Sequence, residues 1–453
     1  MSLLYALSIA GQSLLTYQDA INVTNKNISN AFTDGYSREE AIIADLPARS
    51  GAYIQNIRRL SSKIIFSRYI KANQETEGLN DYKSILDQVE DVFNETAGSG
   101  FGAALNDFFA SLNDIAVNPG DLTARYAALS KAKALVGRIR DSYSYLTDIK
   151  DKTTLGVKDT VDNINRLTEK LADINKNLKL FYASNKERYN EYLDERDRAL
   201  KELSALVDTK VTFHDDGTVD ISTAKGFALV IGIDSKKLSF STDGNNNPVI
   251  RWNNTDITSE FQNGKLGGYL KGVSFINETI DRLNTFTTEF ANAINNQHKA
   301  GYDLNGNPGT DFFTSDNGSS TIDASNITLN FENPELIAAS GNATYPDSDN
   351  TNIKAIIALE DTPISGLNNQ TFSEYYSTEI ITPIATQTNQ TDNLIKSSTE
   401  IRDSLDQQLK EISSVNTDEE FINLTKFQRA YEASAKVVSV TDELIQTILN
   451  MVQ

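Results

Sequence analysis

Between Gly301 and Phe313 the chain reads GYDLNGNPGTDFF, which sets Asp303, Asn305 and Asn307 at alternate positions. Oxygen-bearing side chains at that spacing are how a calcium loop collects its ligands. Two positions argue against a cation. Pro308 stands where such a loop requires its turn glycine, and Thr314 stands where a bidentate glutamate would close the site. The segment reads instead as an Asx-rich turn. Carboxylate pairs such as Asp215/Asp216 and Glu419/Glu420 hold the material of general acid–base chemistry, but that chemistry needs a cleft to displace one pKa, and no cleft is visible in the sequence. The first pair reads as hairpin-turn residues. The second reads as first-turn charges of a helix, where carboxylates complement the dipole. Cysteine is absent, and the two histidines, His214 and His298, lie far apart. Thiol nucleophiles, disulfides and zinc–thiolate sites are therefore excluded, and Ser–His catalysis or a His-ligated metal has almost nothing to be built from. His214, beside Asp215, reads as part of a surface turn. No catalytic, cofactor-binding or metal-ligating residue is assigned. The expectation is a protein that is not an enzyme and uses no cofactor.

What remains is the chemistry of packing. A chain of 453 residues exceeds one typical core, so two or three domains are expected. The formal net charge of −20 repels phosphate backbones, so neither nucleic acid nor an anionic membrane is an expected partner. No stretch is long and apolar enough to span a bilayer. The start, MSLLYALSIAGQSLL, lacks a basic region, and Gln12 and Ser13 interrupt its apolar run. It is a poor general secretory signal, so an exported product would need another route.

The elements that position these residues are mostly helical. Leu4, Leu7, Gly11, Leu14, Ile21 and Ile28 recur on one helical face. Gly11 costs about 1 kcal/mol relative to Ala inside a helix and reads as the mark of a close neighbour. The stretch Asn25 to Asn30 weakens the helix, and Thr33-Asp34-Gly35 ends it, with Gly35 suited to positive φ. Towards the other end Leu394, Ile401, Leu405, Ile412 and Val415 share a face. Thr417 to Glu420 (TDEE) reads as a capping box. Leu424, Phe427, Tyr431, Ser434, Val438, Thr441, Ile445, Ile448 and Val452 then follow heptad spacing. Neither terminal helix is stable alone in water, so the two must pair with each other, with other chains, or with both. On periodicity alone, ordinary bundle helices fit these stripes equally well.

Between the ends, Phe66 to Glu95 and Phe101 to Val117 read as helices, and Asn118-Pro119-Gly120 as a breaker. From Asp121 to Phe181 one stripe continues for roughly 60 residues, about 90 Å of helix, with Gly156 a candidate kink. Lys186 to Val207 is a further amphipathic helix. Lys210 to Trp252 then alternates with period two between Asp-Gly turns and reads as strands. Helix returns from Gly268 to Lys299. Gly301 to Tyr345 is loop-rich, with short strands such as ITLNF. Ile353 to Leu359 and Thr371 to Gln387 read as helical. The expected fold is mainly α with a smaller β part. It is elongated and multi-domain, with long antiparallel helices, the terminal helices paired as a coiled coil, and a small inserted β-domain. The expected domains are residues 1–65 with 385–453 (terminal coiled coil), 66–207 with 266–384 (helical core), and 208–265 (β-rich).

The segment LSIAGQSLLTYQDAINVTNKNISNAFTDGYSRE resembles the N-terminal signature of the bacterial flagellar axial proteins, a helix followed by an Asn-Asn-Ile-Ala-Asn-type segment and a Thr-Pro-Gly-Tyr-type turn. Asn27-Ile28-Ser29-Asn30-Ala31 and Thr33-Asp34-Gly35-Tyr36-Ser37-Arg38 fill those places, with Asp34 at the usual proline and the turn chemistry kept. The closing LTKFQRAYEASAKVVSVTDELIQTILNMV is similar to the closing helix of the same group. Three middle segments, AVNPGDLTARYAALSKAKALVGRI, LDERDRALKELSALVDTKVTFHDDGTVDIS and the run from Gly267 to Phe313, resemble the hook-associated protein 1 family of that group. The chain is short for that family, which implies a reduced or missing outer domain. The resemblance implies a structural subunit that caps the hook and forms a ring on which the next junction protein and then the filament assemble. It implies hook protein, the second junction protein and further copies of the chain as partners, with an export chaperone on the C-terminal helix. It also implies type III export without a cleaved signal peptide and an extracellular place in the flagellum. The assembly residues it implies are Leu7, Leu14, Ile21, Asn27, Ile28, Asn30, Gly35 and Tyr36 near the start, and Leu424, Phe427, Tyr431, Val438, Ile445 and Ile448 near the end. A hook or rod subunit, or a secreted coiled-coil adhesin or scaffold, is the alternative.

Overall fold

The computed structural model describes residues 2–45, 51–94 and 100–452. Glu95, the expected end of one helix, lies outside them. Helix α1 (Leu3–Ser29) opens on Ser2, whose hydroxyl accepts from the Tyr5 amide. An antiparallel hairpin follows, β1 (Glu39–Asp45) with β2 (Ala52–Arg59). The long helices are α2 (Lys63–Val92), α3 (Phe101–Val117), α4 (Leu122–Phe181) and α5 (Lys186–Leu206). The Asn-Pro-Gly breaker separates α3 from α4, and Asp121 caps α4 through the Thr123 amide at 2.7 Å. Helix α4 has 60 residues and continues through Gly156. A Cβ there would stand 2.6 Å from the Tyr269 ring, so this glycine serves close packing rather than a kink.

Seven short strands follow, β3 (Lys210–Phe213), β4 (Val219–Ser222), β5 (Ala228–Ile231), β6 (Asp234–Ser235), β7 (Leu238–Thr242), β8 (Pro248–Trp252) and β9 (Thr255–Asp256). They form two antiparallel sheets, ordered β3-β4-β5-β6 and β7-β8-β9. Helix α6 (Gly264–Lys299) begins four residues earlier than its periodicity predicts. Beyond it come the small ladder of β10 (Phe313–Ser315) and β11 (Ile327–Leu329), then α7 (Thr351–Ala358) and α8 (Phe372–Tyr375). A π-helical turn, Tyr376–Ile381, joins α8 to α9 (Thr382–Ser413), and α10 (Thr417–Val452) closes the described chain. The π turn sits just ahead of Pro383, where the hydrogen-bond ladder must pass a residue with no N–H.

Two apolar clusters hold the fold. One gathers Phe101, Phe108, Phe109, Phe286, Phe290 and Phe372 from α3, α6 and α8. Several of these rings meet edge to face, as Phe108 and Phe290 do at 5.7 Å between centroids. Each fully buried Phe contributes about 1.5–3 kcal/mol from its area. The second cluster packs Val157, Val161, Ile164 and Leu171 of α4 on Leu200 and Leu203 of α5 and on Ile221, Val230 and Ile250 of the strands. Helix α4 thus runs through both. Neither cluster takes a described residue from α1 or α10.

The chemistry-bearing residues of the middle are structural. Asp303 Oδ1 accepts from the amides of Asn305 (2.9 Å) and Asn307 (2.8 Å), with Gly306 at φ 75°: an Asx turn. Asp216 accepts from the Thr218 amide and hydroxyl in the β3–β4 hairpin, and His214 Nε2 lies 2.9 Å from Asp220. Buried His298 contacts the Thr310 carbonyl through Nδ1 at 2.6 Å and accepts from the Ala338 amide through Nε2 at 2.8 Å. Burial pushes its pKa down to about 4. Buried Arg125 donates to the carbonyls of Pro119, Pro334 and Ile337, so it and His298 grip adjacent residues of one loop. Among the described residues no group of three His, Cys, Asp or Glu is placed to hold a metal, and no helix is long and apolar enough to cross a membrane.

Candidate assembly surface and the polar knot at its root

Helices α1 and α10 lie against one another along their lengths. Ala6, Ile9, Ala10 and Ser13 share a shallow groove with Ala433, Ser434 and Val437, while Asn27 reaches Glu420. As one helix advances the other retreats, so the pair is antiparallel. The line on α1 that carries both contacts is Ala6, Ala10, Ser13, Ala20, Thr24 and Asn27, at steps of three, four and seven. The buried side chains of α1 are small or polar: Ala10, Thr16, Ala20, Val23, Thr24 and Asn27. Leu7, Leu14, Ile21 and Ile28 flank this line and are half-buried, and Leu4 is exposed. Close approach of a helix and a hairpin selects small residues. Thr16, for example, donates to the Ala52 carbonyl at 2.7 Å. Among the described residues Gly11 marks no close neighbour, since none lies within 4 Å of its Cβ position.

On α10 the expected heptad face is the half-buried one at Leu424, Phe427, Ser434, Val438 and Ile445, while Tyr431 and Ile448 are exposed. A second row, Val437, Val440, Leu444, Ile448 and Met451, also steps by three and four and stands in solvent. Of the face expected along α9, Leu394, Ile401 and Ile412 are exposed and Leu405 and Val415 half-buried, while Ile384, Thr388, Thr391, Ser398 and Leu409 are the buried residues of the helix. The molecule therefore presents long helices whose apolar surface is only partly covered by its own chain.

The expected capping box at Thr417 does not form. Asn416 caps α10, its Oδ1 accepting from the Asp418 amide at 3.1 Å. That frees the Glu420 carboxylate, which turns inward. Its Oε2 accepts from Asn27 Nδ2 at 3.0 Å and its Oε1 from Arg38 Nε at 2.8 Å, with the side chain 3% exposed. Asn27 makes every bond its amide allows. Its Nδ2 also donates to the Glu39 carbonyl (2.8 Å), and its Oδ1 accepts from the Tyr36 hydroxyl (2.8 Å) and the Glu39 amide (3.0 Å). Asn30 closes the end of α1, donating to the Lys26 carbonyl. Gly35, at φ 76°, makes the turn that delivers Tyr36, and a Cβ there would meet Arg198 at 3.1 Å.

The knot extends into α5. Arg59 pairs with Asp194 (2.6 Å) and Asp197 (2.8 Å), and the Ser37 amide donates to Asp194 at 3.4 Å. Lys26 lies 3.3 Å from Glu39 and 3.4 Å from Glu191. Burial raises the Asp194 pKa despite Arg59. Burial acts the same way on Asp197, but Arg196 and Arg59 outweigh it and hold that carboxyl below its ordinary value. Burial, then Glu39, Asp194 and Glu420, push the Tyr36 hydroxyl up, so it stays a protonated donor. Sequence reasoning found Asn27, Gly35 and Tyr36 but missed Glu39, Arg59, Asp194, Asp197 and the inward turn of Glu420. A charged run such as DERDR carries no signal that three of its five side chains, Asp194, Arg196 and Asp197, are buried.

A family model described as Flagellar hook-associated protein FlgK helical domain matches residues 86–313, half of the chain. Another, Flagellar basal body rod FlgEFG protein C-terminal, matches residues 406–451, the end of α9 and nearly all of α10. Flagellar hook-associated protein 1 of Escherichia coli (strain K12) is 24% identical over 533 aligned residues, covering 96% of this chain and 97% of that protein. The protein of the same name from Bacillus subtilis (strain 168) is 25% identical over 495, covering 98% and 97%. Both alignments run longer than the chain, so these relatives carry segments it lacks. Among solved structures, the flagellar hook junction protein FlgK from Burkholderia pseudomallei superposes with a TM-score of 0.66 at 16% identity, over 78% of this chain and all of that one, which shows a shared fold.

Proposed function

Because the chain belongs to the FlgK family of flagellar hook-associated proteins, we propose that it is a structural subunit of the hook–filament junction, not an enzyme. It assembles as a ring on the hook end, on which the next junction protein and then the filament are built. Its partners are hook protein, the second junction protein and further copies of itself. It leaves the cell unfolded by the flagellar type III route without a cleaved signal peptide, its C-terminal helix held by an export chaperone beforehand. Residues 1–65 with 385–453 act as the assembling unit, 66–207 with 266–384 as the helical core, and 208–265 as a β-rich part.

The observation that carries this reading is the exposed apolar row Val440, Leu444, Ile448 and Met451, which continues from Val437 at the edge of the α1 groove, on a helix whose neighbouring face already packs on α1. A row at that spacing is suited to a further helix, and neighbouring subunits supply one. The likeness of residues 406–451 to rod-type C-terminal segments supports the alternative of a hook or rod subunit. Electron microscopy of cells lacking the gene, with an assay of flagellin in the medium, separates the two. Bare hooks with flagellin lost to the medium are expected for a junction protein. Absence of hooks would favour the alternative, and normal filaments would refute both.

A further inference from the structure

We infer that Glu420, held by Asn27 and Arg38, is a register lock that sets where α10 lies along α1. The inference concerns the isolated chain. Only its consequence, the height at which the outer row of α10 is presented to a neighbour, rests on the assembly reading above.

The seam itself supplies little register. Ala6, Ala10, Ser13, Ala20 and Thr24 form one line of α1, and Ala433 and Ser434 lie across from its start. Side chains of this size make shallow ridges on α1, and although Leu424, Phe427, Val438 and Ile445 of α10 are half-buried beside them, these follow the same heptad spacing, so apolar packing discriminates only weakly against a shift of one heptad. The apolar clusters give no help, since neither takes a described residue from α1 or α10. One buried polar group that must find its partner is how paired helices choose a single alignment. Glu420 is such a group. Both of its oxygens are bonded, one to Asn27 and one to Arg38, and sliding α10 by a heptad would strand a buried carboxylate.

The reading head is itself fixed. Asn27 is held by Tyr36 and by both backbone groups of Glu39, so its Nδ2 points at one place. The Arg38 amide donates to the Ser413 carbonyl at 2.8 Å, the Leu60 amide donates to the Arg38 carbonyl at 2.9 Å, and the Arg38 side chain also reaches Glu419 at 3.1 Å. The last residue of α9 and the first turn of α10 are therefore gripped by one arginine, on both sides of the link between the helices. The Ser37 amide on Asp194 ties the same turn to α5. The α10 register is thus referred to the body of the molecule rather than to α1 alone.

The absence of cysteine makes the test direct. Full-length chains carry Ser13→Cys with Ser434→Cys as the native-register pair, and Ser13→Cys with Phe427→Cys or with Thr441→Cys as pairs slipped by one heptad. Each is treated as monomer with a short thiol-to-thiol cross-linker, and thermal melting of the same samples confirms that the core is folded. With Asn27 and Glu420 intact, the native pair should cross-link and both slipped pairs should not. Glu420→Ala or Asn27→Ala should raise the slipped-to-native ratio at least tenfold, roughly what one hydrogen bond to a buried charge commands. Glu420→Gln keeps an acceptor for Asn27 and should restore part of the native preference. An unchanged ratio in Glu420→Ala would overturn the lock. So would loss of cross-linking at all three positions, which would mean that Glu420 attaches α10 without choosing its register. Complementation of the deletion strain by the same variants tests the assembly reading separately: a slipped chain that still builds filaments would keep the lock and sink its assembly consequence.

Discussion

Arg59 Nε lies 2.6 Å from Asp194 Oδ1, an ion pair in which both side chains are more than nine-tenths withdrawn from solvent. It joins the end of the terminal hairpin to α5, so the terminal helices are anchored to the body through charge rather than through either apolar cluster. Such a pair is well partnered but costly to break, because removing one member leaves the other buried and uncompensated. Arg59→Ala strands Asp194, while Asp197 keeps Arg196 as its partner. It should destabilise the chain by about 3 kcal/mol, read as a lower urea midpoint with an unchanged slope. A loss below about 1 kcal/mol, the scale of a surface pair, would show that the knot is wet and its charges screened.

His298 gives the protein a pH dependence of known sign. Burial lowers its pKa to about 4, whereas the unfolded chain titrates near 6.5. Between those values the unfolded state binds the extra proton. The stability is therefore fully present above pH 6.5 and is lost as pH falls towards 4, by about 3 kcal/mol in all. Carboxylates titrate in part of this window too, so the quantity to measure is the difference between parent and His298→Gln. The variant should be less stable at pH 7 and should show a shallower acid decline. Parallel curves would remove His298 from the account.

Helices α2 and α6 cross where Gly78 meets Gly264 and Gly268. A Cβ on Gly268 would overlap the Gly78 carbonyl oxygen, and one on Gly78 would stand 2.8 Å from the Gly264 amide nitrogen. Two effects compete in Gly268→Ala. Helix propensity favours alanine by about 1 kcal/mol, while overpacking costs about 1–3 kcal/mol and here the obstacle is backbone. The clash should win, and calorimetry should show a lower melting temperature. A rise in melting temperature would mean that the helices can separate at no cost.

The helices were readable because their apolar spacing is long and regular: α4, α5 and α10 stand within a residue or two of their expected bounds. The strands between Lys210 and Trp252 were readable from period-two alternation between Asp-Gly turns, whereas the β1–β2 hairpin was not foreseen. What failed was the choice among faces that periodicity cannot rank. On α1 the leucines dominate the pattern, yet close packing put alanine and threonine inward. On α9 the apolar row Leu394, Ile401, Ile412 faces out, because the body offers α2 to the other side. Glu420 was misread for a related reason. A Thr-x-x-Glu signature has a local explanation, and the partner that captured the carboxylate is Asn27, 393 positions away in the chain. Local pattern reports which element forms. It does not report which distant polar group will claim a side chain.

The proposed assembling face can be tested apart from the fold. Leu14 and Ile445 are half-buried on α1 and α10, Leu444 is exposed, and none of the three belongs to either apolar cluster. Leu444→Asp removes apolar surface already in water, so the monomer should lose at most about 0.5 kcal/mol. Leu14→Asp and Ile445→Asp should loosen the α1–α10 pair while the two clusters keep their melting transition. If these faces are where neighbouring subunits pack, a carboxylate on any of them is buried unpaired in the assembly, at a cost of several kcal/mol per subunit. Cells carrying any of the three in place of the parent chain should show bare hooks and release flagellin. The exposed Leu444 is the decisive position, because its change has almost no route to a phenotype through folding. Normal filaments in Leu444→Asp cells would place the subunit contacts elsewhere on the molecule.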